Sequence, residues 1–381
     1  MVNNFFMYDK ILLRYDEIWL KSEKTRRKFE KKLIENIKAS LGKVNIEALR
    51  GRIIINYDPQ FVEKLKKVFG IVSFSPAVSC KTDLKAISEK LVEFVRWLGI
   101  KETFAIRVKR EAEINNLTSM EIARILGKIV KDEFNSRVDL KNPQTELFVE
   151  IREEESYIFD KKIEGPGGFP ISTQGKVLCL VSGGIDSAVS AWYAMKRGCE
   201  IVILHFDTTP FAQNTQENVK KIAKKLREWN SNKKIKIVVV KFGKILQDIR
   251  EILKNENKLS YTCLLCKYAM YKVAEEIARK ENAKALVTGD SLGQVASQTL
   301  DNLLVISYKI NIPILRPLIF MDKHEIIEMA KNIGTFEISL ETKRCKAVPK
   351  HPETKAKMKE FKKLYSRIKI DEYSLKTIIV N

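Results

Sequence analysis

The chain has 381 residues, 45% of them hydrophobic and 31% charged, and its 69 Lys and Arg against 48 Asp and Glu give a formal net charge of +21. That length exceeds one usual core and that balance excludes a disordered chain, so two or three folded domains are expected, with a polyanion such as nucleic acid as the partner that the charge suits. The longest apolar runs, "KVLCLVSG" and "IKIVVVKFG", have the length of buried strands, and the N-terminus lacks a basic region followed by a long apolar one, so a cytoplasmic protein with no membrane span is expected.

In chain order, "KILLRYDEI" reads as a strand, "KTRRKFEKKLIENIKASLG" as an amphipathic helix ending at Gly42, and "GRIIINYD" as a strand. This small α+β unit suits a ferredoxin-like arrangement. A second α+β module follows, with helices in "DLKAISEKLVEFVRWLG" and "SMEIARILGKIVKDEFN" and strands in "TFAIRVKR" and "TELFVEIRE". In "TFAIRVKR" one face carries Phe104, Ile106 and Val108 while Arg107 and Lys109 point the other way, with Arg110 following. Such a strand suits either phosphate contact or an ordinary solvated face.

The prolines and glycines of "KKIEGPGGFPISTQGK" mark a domain junction. Beyond it, strands "KVLCLVSG", "EIVILHFD", "KIKIVVVKF" and "KALVTGD" alternate with helices, one ending at Arg197, one in "TQENVKKIAKKLREW" and one over 264–281. That alternation predicts a doubly wound parallel sheet. The basic excess sits here: residues 166–381 hold 37 positive and 22 negative side chains, whereas 1–165 hold 32 and 26.

A buried strand ending in Ser182, Gly183, Gly184, Ile185, Asp186 and Ser187 and running into "AVSAWYAMKRG" places backbone N–H groups at a helix N-terminus, where an anion is stabilised. The glycines admit close approach. Ser182 and Ser187 add hydroxyl donors, and Asp186 either holds a metal ion or caps the helix. Walker A needs a lysine after longer spacing, so this is a different loop. "SGGIDS" after an apolar strand resembles the signature of the PP-loop ATP pyrophosphatases. The wider stretches "GPGGFPISTQGKVLCLVSGGIDSAVSAW", "TGDSLGQVASQTLDNL", "RPLIFMDKHEIIEMAKNIGT" and "RCKAVPKHPETKAK" resemble the ThiI family of 4-thiouridine synthetases.

That resemblance implies a multidomain α+β and α/β chain: a ferredoxin-like domain over 1–70, a THUMP RNA-binding domain over 71–165, a linker over 166–175 and a PP-loop domain, of the adenine nucleotide α-hydrolase-like kind, over 176–381. It implies that ATP, assisted by Mg²⁺, adenylates uridine 8 of tRNA with release of pyrophosphate, and that sulfur then displaces AMP to leave 4-thiouridine. Carried over residue by residue, the ATP contacts fall on Leu180, Val181, His205, Phe206, Lys267, Gly289 and Gln298, alongside the loop itself. The plainer alternative for His205 and Phe206 is a core or capping role. Homodimerisation and RNA docking by 1–165 are implied in the same way, with Arg107, Lys109, Arg110 and the basic stretch 343–363 as candidate phosphate contacts.

Six scattered cysteines are too few for a disulfide scaffold, so thiol or metal chemistry is expected. "TCLLC" sets Cys263 and Cys266 at a helix start, a spacing for a metal or a dithiol, and helix N-termini lower thiolate pKa values. Cys345 stands among Lys343, Arg344 and Lys346, where positive charge favours thiolate. The resemblance, to the form without a rhodanese domain, implies that Cys263, Cys266 and Cys345 bind an iron–sulfur cluster with one open iron corner. A persulfide on Cys345 resolved by a CxxC thiol and a structural zinc site are the competing readings. Cys179 is read as core. The sulfur donor is expected to be sulfide or a cysteine desulfurase. Other readings are a PP-loop thiolase or ligase for another substrate, and a sulfur carrier feeding thiamine thiazole synthesis.

Overall fold

Strand β1 (Lys10–Arg14) buries Ile11, Leu12 and Leu13 in succession, as a strand does when side chains cover both faces of its sheet. Helix α1 (Glu23–Leu41) turns Phe29, Leu33, Ile37 and Leu41 inward at helical spacing and stops at Gly42, whose φ of 88° suits glycine. The computed structural model describes residues 7–341, 345–368 and 377–380, in two units, Met1–Gly168 and Phe169–Asn381.

The first unit continues with β2 (Ile46–Leu49), β3 (Arg52–Asn56), α2 (Pro59–Leu65), β4 (Ser73–Lys81), α3 (Leu84–Leu98), β5 (Thr103–Arg110), α4 (Ser119–Phe134), β6 (Arg137–Val138), β7 (Thr145–Ile151), β8 (Glu155–Phe159) and β9 (Ile163–Glu164). Its sheet runs β2-β3-β1-β4-β8-β7-β5-β6, with β9 on β4. Only β5 pairs in parallel, with β7 and β6. One face packs against α3 and α4 through Ile87, Leu91, Phe94, Ile122 and Leu126, which meet Phe104, Ile106, Val149 and Ile158. The alternate positions carry a smaller cluster of Leu12, Ile54, Ala77, Tyr157 and Phe159 on the opposite face.

The second unit opens with residues 169–175, expected as linker; Phe169 bridges Arg197, and the Thr173 and Gln174 amides donate to the Gly198 carbonyl. Then come β10 (Lys176–Leu180), α5 (Ile185–Lys196), β11 (Glu200–Asp207), α6 (Thr215–Trp229), β12 (Ile237–Lys241), α7 (Gly243–Asn255), α8 (Thr262–Lys280), β13 (Leu286–Val287), α9 (Leu300–Ile306), β14 (Ile314–Leu315), α10 (Lys323–Ile333), α11 (Phe336–Leu340), α12 (Met358–Tyr365) and β15 (Thr377–Val380). The sheet order is β14-β13-β10-β11-β12-β15, parallel except for β15. After β10 the chain builds β11 on one side, and β13 later returns on the other. That reversal leaves a crevice beyond the carboxyl end of β10, where open α/β sheets take their ligands.

Candidate active site

Gly184 is the N-cap of α5, so Asp186 lies inside the first turn; the expectation that Asp186 caps the helix is not met. Its carboxylate instead meets Lys323 Nζ, from the first residue of α10, at 2.5 Å. The serines fold the loop on itself: Ser187 Oγ donates to the Gly184 carbonyl at 2.9 Å, and the Ser182 amide donates to Ser187 Oγ at 3.2 Å. Gly183 holds φ at 93°, a backbone open to glycine. From the neighbouring strand, Gly289 closes on the same turn so tightly that a Cβ there would stand 2.8 Å from both Asp186 C and Ser187 N.

His205 lies 1% exposed beneath the end of β10. Its Nδ1 is 2.9 Å from the Val181 carbonyl, which only accepts, so Nδ1 carries the proton and Nε2 accepts from the Thr215 hydroxyl at 3.0 Å. Burial lowers its pKa and keeps this neutral form. The imidazole therefore fixes the backbone that leads into the glycine loop. Phe206 packs edge-on against Phe242 at 5.2 Å.

Leu180, Val181, Ser182, His205, Phe206 and Lys267 line one cavity of ≈ 390 Å³, and so do Cys263, Cys266 and Cys345. Folding thus brings six of the expected nucleotide residues and the three expected thiols to one place, while Gly183, Gly184, Asp186 and Ser187 are not part of its lining. All six cysteines are free; these three are half-buried, and Cys179 and Cys199 lie in the core. Helix α8 starts at Thr262, which sets Cys263 in its first turn. The expectation of lowered thiol pKa values reverses for Cys263 and Cys266: burial raises both, reinforced by the neighbouring thiols, and outweighs Lys267. Of the cations expected around Cys345, Lys343 and Arg344 lie outside the described residues. Soft thiols around one cavity are a donor set that suits iron–sulfur ligation, although among the described residues no group of three His, Cys, Asp or Glu is placed to hold a metal ion.

Gly289 and Gln298 stand behind this wall, joined to it through a residue that sequence reasoning passed over. Asp290, 4% exposed, receives Lys267 Nζ at 2.9 Å, Tyr271 OH at 3.0 Å, Thr288 Oγ1 at 2.8 Å and Gln298 Nε2 at 3.3 Å, with Arg316 Nε 3.4 Å away. Despite the desolvation of burial, Lys267 and these donors hold its carboxyl far below the ordinary range. The only sequence signal was a lone acid after a strand in "VTGDS". Lys323 was equally unassigned.

In the first unit Arg107 Nε meets Glu146 at 2.7 Å and Lys109 meets Glu111 at 2.7 Å. Arg110 falls on the other side of the strand and donates to the Leu117 carbonyl at 2.6 Å. The three do not form one basic stripe.

Three family models match the chain: Thiamine biosynthesis protein (ThiI) over residues 172–370, the ThiI ferredoxin-like domain over 10–75 and the THUMP domain over 81–160. The chain is similar to the probable tRNA sulfurtransferase of Methanobrevibacter smithii, at 45% identity over 92% of this chain and 93% of that one. It is 42% identical to that of Methanocaldococcus jannaschii, over 95% and 97%. Among solved structures, a 4-thiouridine synthetase–RNA complex with bound ATP superposes with a TM-score of 0.87 at 33% identity, covering 98% of this chain and 100% of that one. PH1313 from Pyrococcus horikoshii gives 0.66 at 25%, over 86% and 99%.

Proposed function

The chain belongs to the ThiI family, and from that premise we propose that it is an ATP-dependent tRNA sulfurtransferase that makes 4-thiouridine at position 8. The observation that carries this reading is the single cavity in which the end of β10, the first residue of the glycine loop and three thiols meet.

In the proposed reaction, the uridine C4 oxygen attacks the α-phosphorus of ATP and pyrophosphate leaves. The amides of the Ser182–Ser187 turn and Lys323 hold the negative charge that develops on the leaving group, a role suited to rigid donors. Asp186 is the carboxylate nearest the loop for a Mg²⁺ ion, and Lys267, fixed by Asp290, faces the nucleotide. A sulfur nucleophile then adds at C4, and AMP departs with the former uridine oxygen. Cys263, Cys266 and Cys345 are the residues to hold an iron–sulfur cluster, which when bound supplies an open site for sulfide. Persulfide sulfur carried by Cys345 and resolved by a CxxC thiol is the second reading, favoured by three free thiols lining the same cavity. Residues 1–70 and 71–165 are assigned to RNA docking, and 176–381 to the chemistry.

The test is nucleoside mass spectrometry of unmodified tRNA after anaerobic incubation with iron-verified protein, ATP, Mg²⁺ and sulfide. 4-Thiouridine at position 8 is expected. Cys345→Ala is expected to lose it while keeping tRNA-dependent exchange between ATP and pyrophosphate. Absence of both product and exchange in the wild type overturns the reading in favour of a carrier or another ligase.

A further inference from the structure

The opposite face of the first unit's sheet holds a second cavity, of ≈ 640 Å³, separate from the site above. Its floor comes from alternate strand positions, so that Arg14 of β1, Arg52 of β3, Phe148 and Glu150 of β7, Phe159 of β8 and Arg107 of β5 all face it. Lys109, Lys161 and Lys162 complete six cations, against the carboxylates of Glu146, Glu150 and Asp160.

Each of those carboxylates is already engaged. Glu146 takes Arg107 at 2.7 Å, Glu150 takes Arg52 and Arg152 at 2.9 Å each, and Asp160 accepts from Tyr8 OH at 2.7 Å. Lys109 turns to Glu111. Arg14, Lys161 and Lys162 are left without an acidic partner among the described residues; Lys161 turns to the Tyr8 ring, 5.6 Å from its centroid, which leaves Arg14 and Lys162 beside the Phe148–Phe159 pair. Arg14 Nη1 donates to Ser75 Oγ at 3.0 Å, while Nη2 is buried with no hydrogen-bond partner. An orphaned guanidinium nitrogen costs about 1 to 3 kcal/mol or more unless an acceptor arrives.

The two cations are also held in place. Phe148 and Phe159 face each other across β7 and β8, stacked at 5.1 Å and 12°. The Arg14 guanidinium sits 4.9 Å from the Phe159 centroid and Lys162 Nζ 4.1 Å from that of Phe148. Burial lowers the Arg14 pKa to about 10 despite Glu150, with Arg52 and Arg152 adding to the fall, and burial and the Arg14 charge lower that of Lys162. Cations crowded in this way favour a bound anion.

We propose that Arg14 and Lys162 form a built anion site on this sheet face and that its occupant is a backbone or terminal phosphate of a polynucleotide. The occupant rests on the tRNA reading; the cavity and its unpaired cations do not. A tetrahedral dianion or phosphodiester offers acceptors to Arg14 Nη2 and to the Lys162 ammonium together. A phosphate contact adds affinity that is independent of base sequence and sensitive to salt.

The test measures affinity for unmodified tRNA over a series of salt concentrations for wild type, Lys162→Gln, Lys162→Arg and Arg14→Gln, with Lys31→Gln on the exposed side of α1 as a charge control. Lys162 is exposed, so its replacement does not endanger folding even if that of Arg14 does. Lys162→Gln is expected to weaken binding and reduce the slope of log K against log salt by about one, Lys162→Arg to restore it, and Lys31→Gln to leave it alone. An unchanged slope in Lys162→Gln, or an equal change in Lys31→Gln, overturns the proposal. A ³¹P titration with inorganic phosphate separates the sources: phosphate binding lost in Lys162→Gln while tRNA affinity stays intact overturns the polynucleotide occupant in favour of a free anion. Failure of the sulfurtransferase reading is seen independently, in the wild type's own nucleoside analysis.

Discussion

Lys323 Nζ stands 2.5 Å from Asp186 Oδ1, joining residues 137 positions apart at the start of α10 and in the first turn of α5. The lysine side chain is 45% exposed, so the pair contributes about 1 kcal/mol or less to stability. In the proposed reaction, its position next to the glycine loop puts a positive charge where pyrophosphate is to depart. Lys323→Met is expected to melt within a few degrees of wild type and to slow tRNA-dependent ATP–pyrophosphate exchange about a hundredfold. Equal exchange rates in the two proteins refute this role.

Gly289→Ala tests the close approach behind the loop. A Cβ placed 2.8 Å from two backbone atoms of Asp186 and Ser187 has no flexible neighbour to displace, so β13 or α5 must shift. The expected cost is about 1 to 3 kcal/mol by denaturant unfolding. The loop moves with it, and the KM for ATP is expected to rise more than kcat falls.

Asp290→Asn removes the one acid among the described residues that pairs with Lys267 and Arg316. Breaking a largely buried pair from one side leaves cations uncompensated, and a loss of about 3 kcal/mol is expected. Gln298 and Lys267 lose their common anchor, so ATP affinity measured by calorimetry is expected to fall as well. Stability and affinity both unchanged exclude Asp290 as an organiser of this wall.

His205 supplies a pH signature. Its folded pKa is lowered by burial, so below about 6.5 the unfolded chain binds a proton that the native imidazole refuses. Native stability is therefore expected to fall as pH drops from 6.5, by at most about 1.4 kcal/mol per unit. The lowered carboxyls of Asp207 and Asp290 act below about pH 4 and leave the window near pH 6 to the histidine. His205→Asn is expected to flatten the slope of unfolding free energy between pH 5.5 and 6.5, whatever it does to the absolute value.

The sequence was most legible where one period ruled. The apolar runs of β10, β11 and β12 and the turn "SGGIDS" announced a parallel sheet and a glycine turn at a helix start, and resemblance supplied the other residues proposed to face the nucleotide. Strand β4 escaped notice because Pro76 and a scatter of serines hide its alternation, although Pro76 sits in register opposite Ile11. Helix α7 was passed over despite inward Ile245, Leu246, Ile249 and Leu253 at helical spacing. Tertiary partners were illegible for a physical reason. Nothing near Asp290 in the chain reveals that it gathers Lys267 and Arg316, and no local pattern sets Lys323 beside Asp186. The thiols illustrate the reverse error: a helix start suggested reactive thiolates, and burial, which no local window displays, set Cys263 and Cys266 the other way.

Strand β15, whose Ile378 and Ile379 face Val239 and Val238 in antiparallel register, has a consequence for the solubility of the folded protein. The run "IVVVK" of β12 has the composition that recruits other chains when its edge is bare. Four residues of β15 occupy that edge and present a shorter one in its place. Removal of residues 377–380 is thus expected to turn a well-behaved solution into one that scatters light on standing, with the nucleotide wall still folded. On that expectation, β15 guards the edge of β12 against self-association.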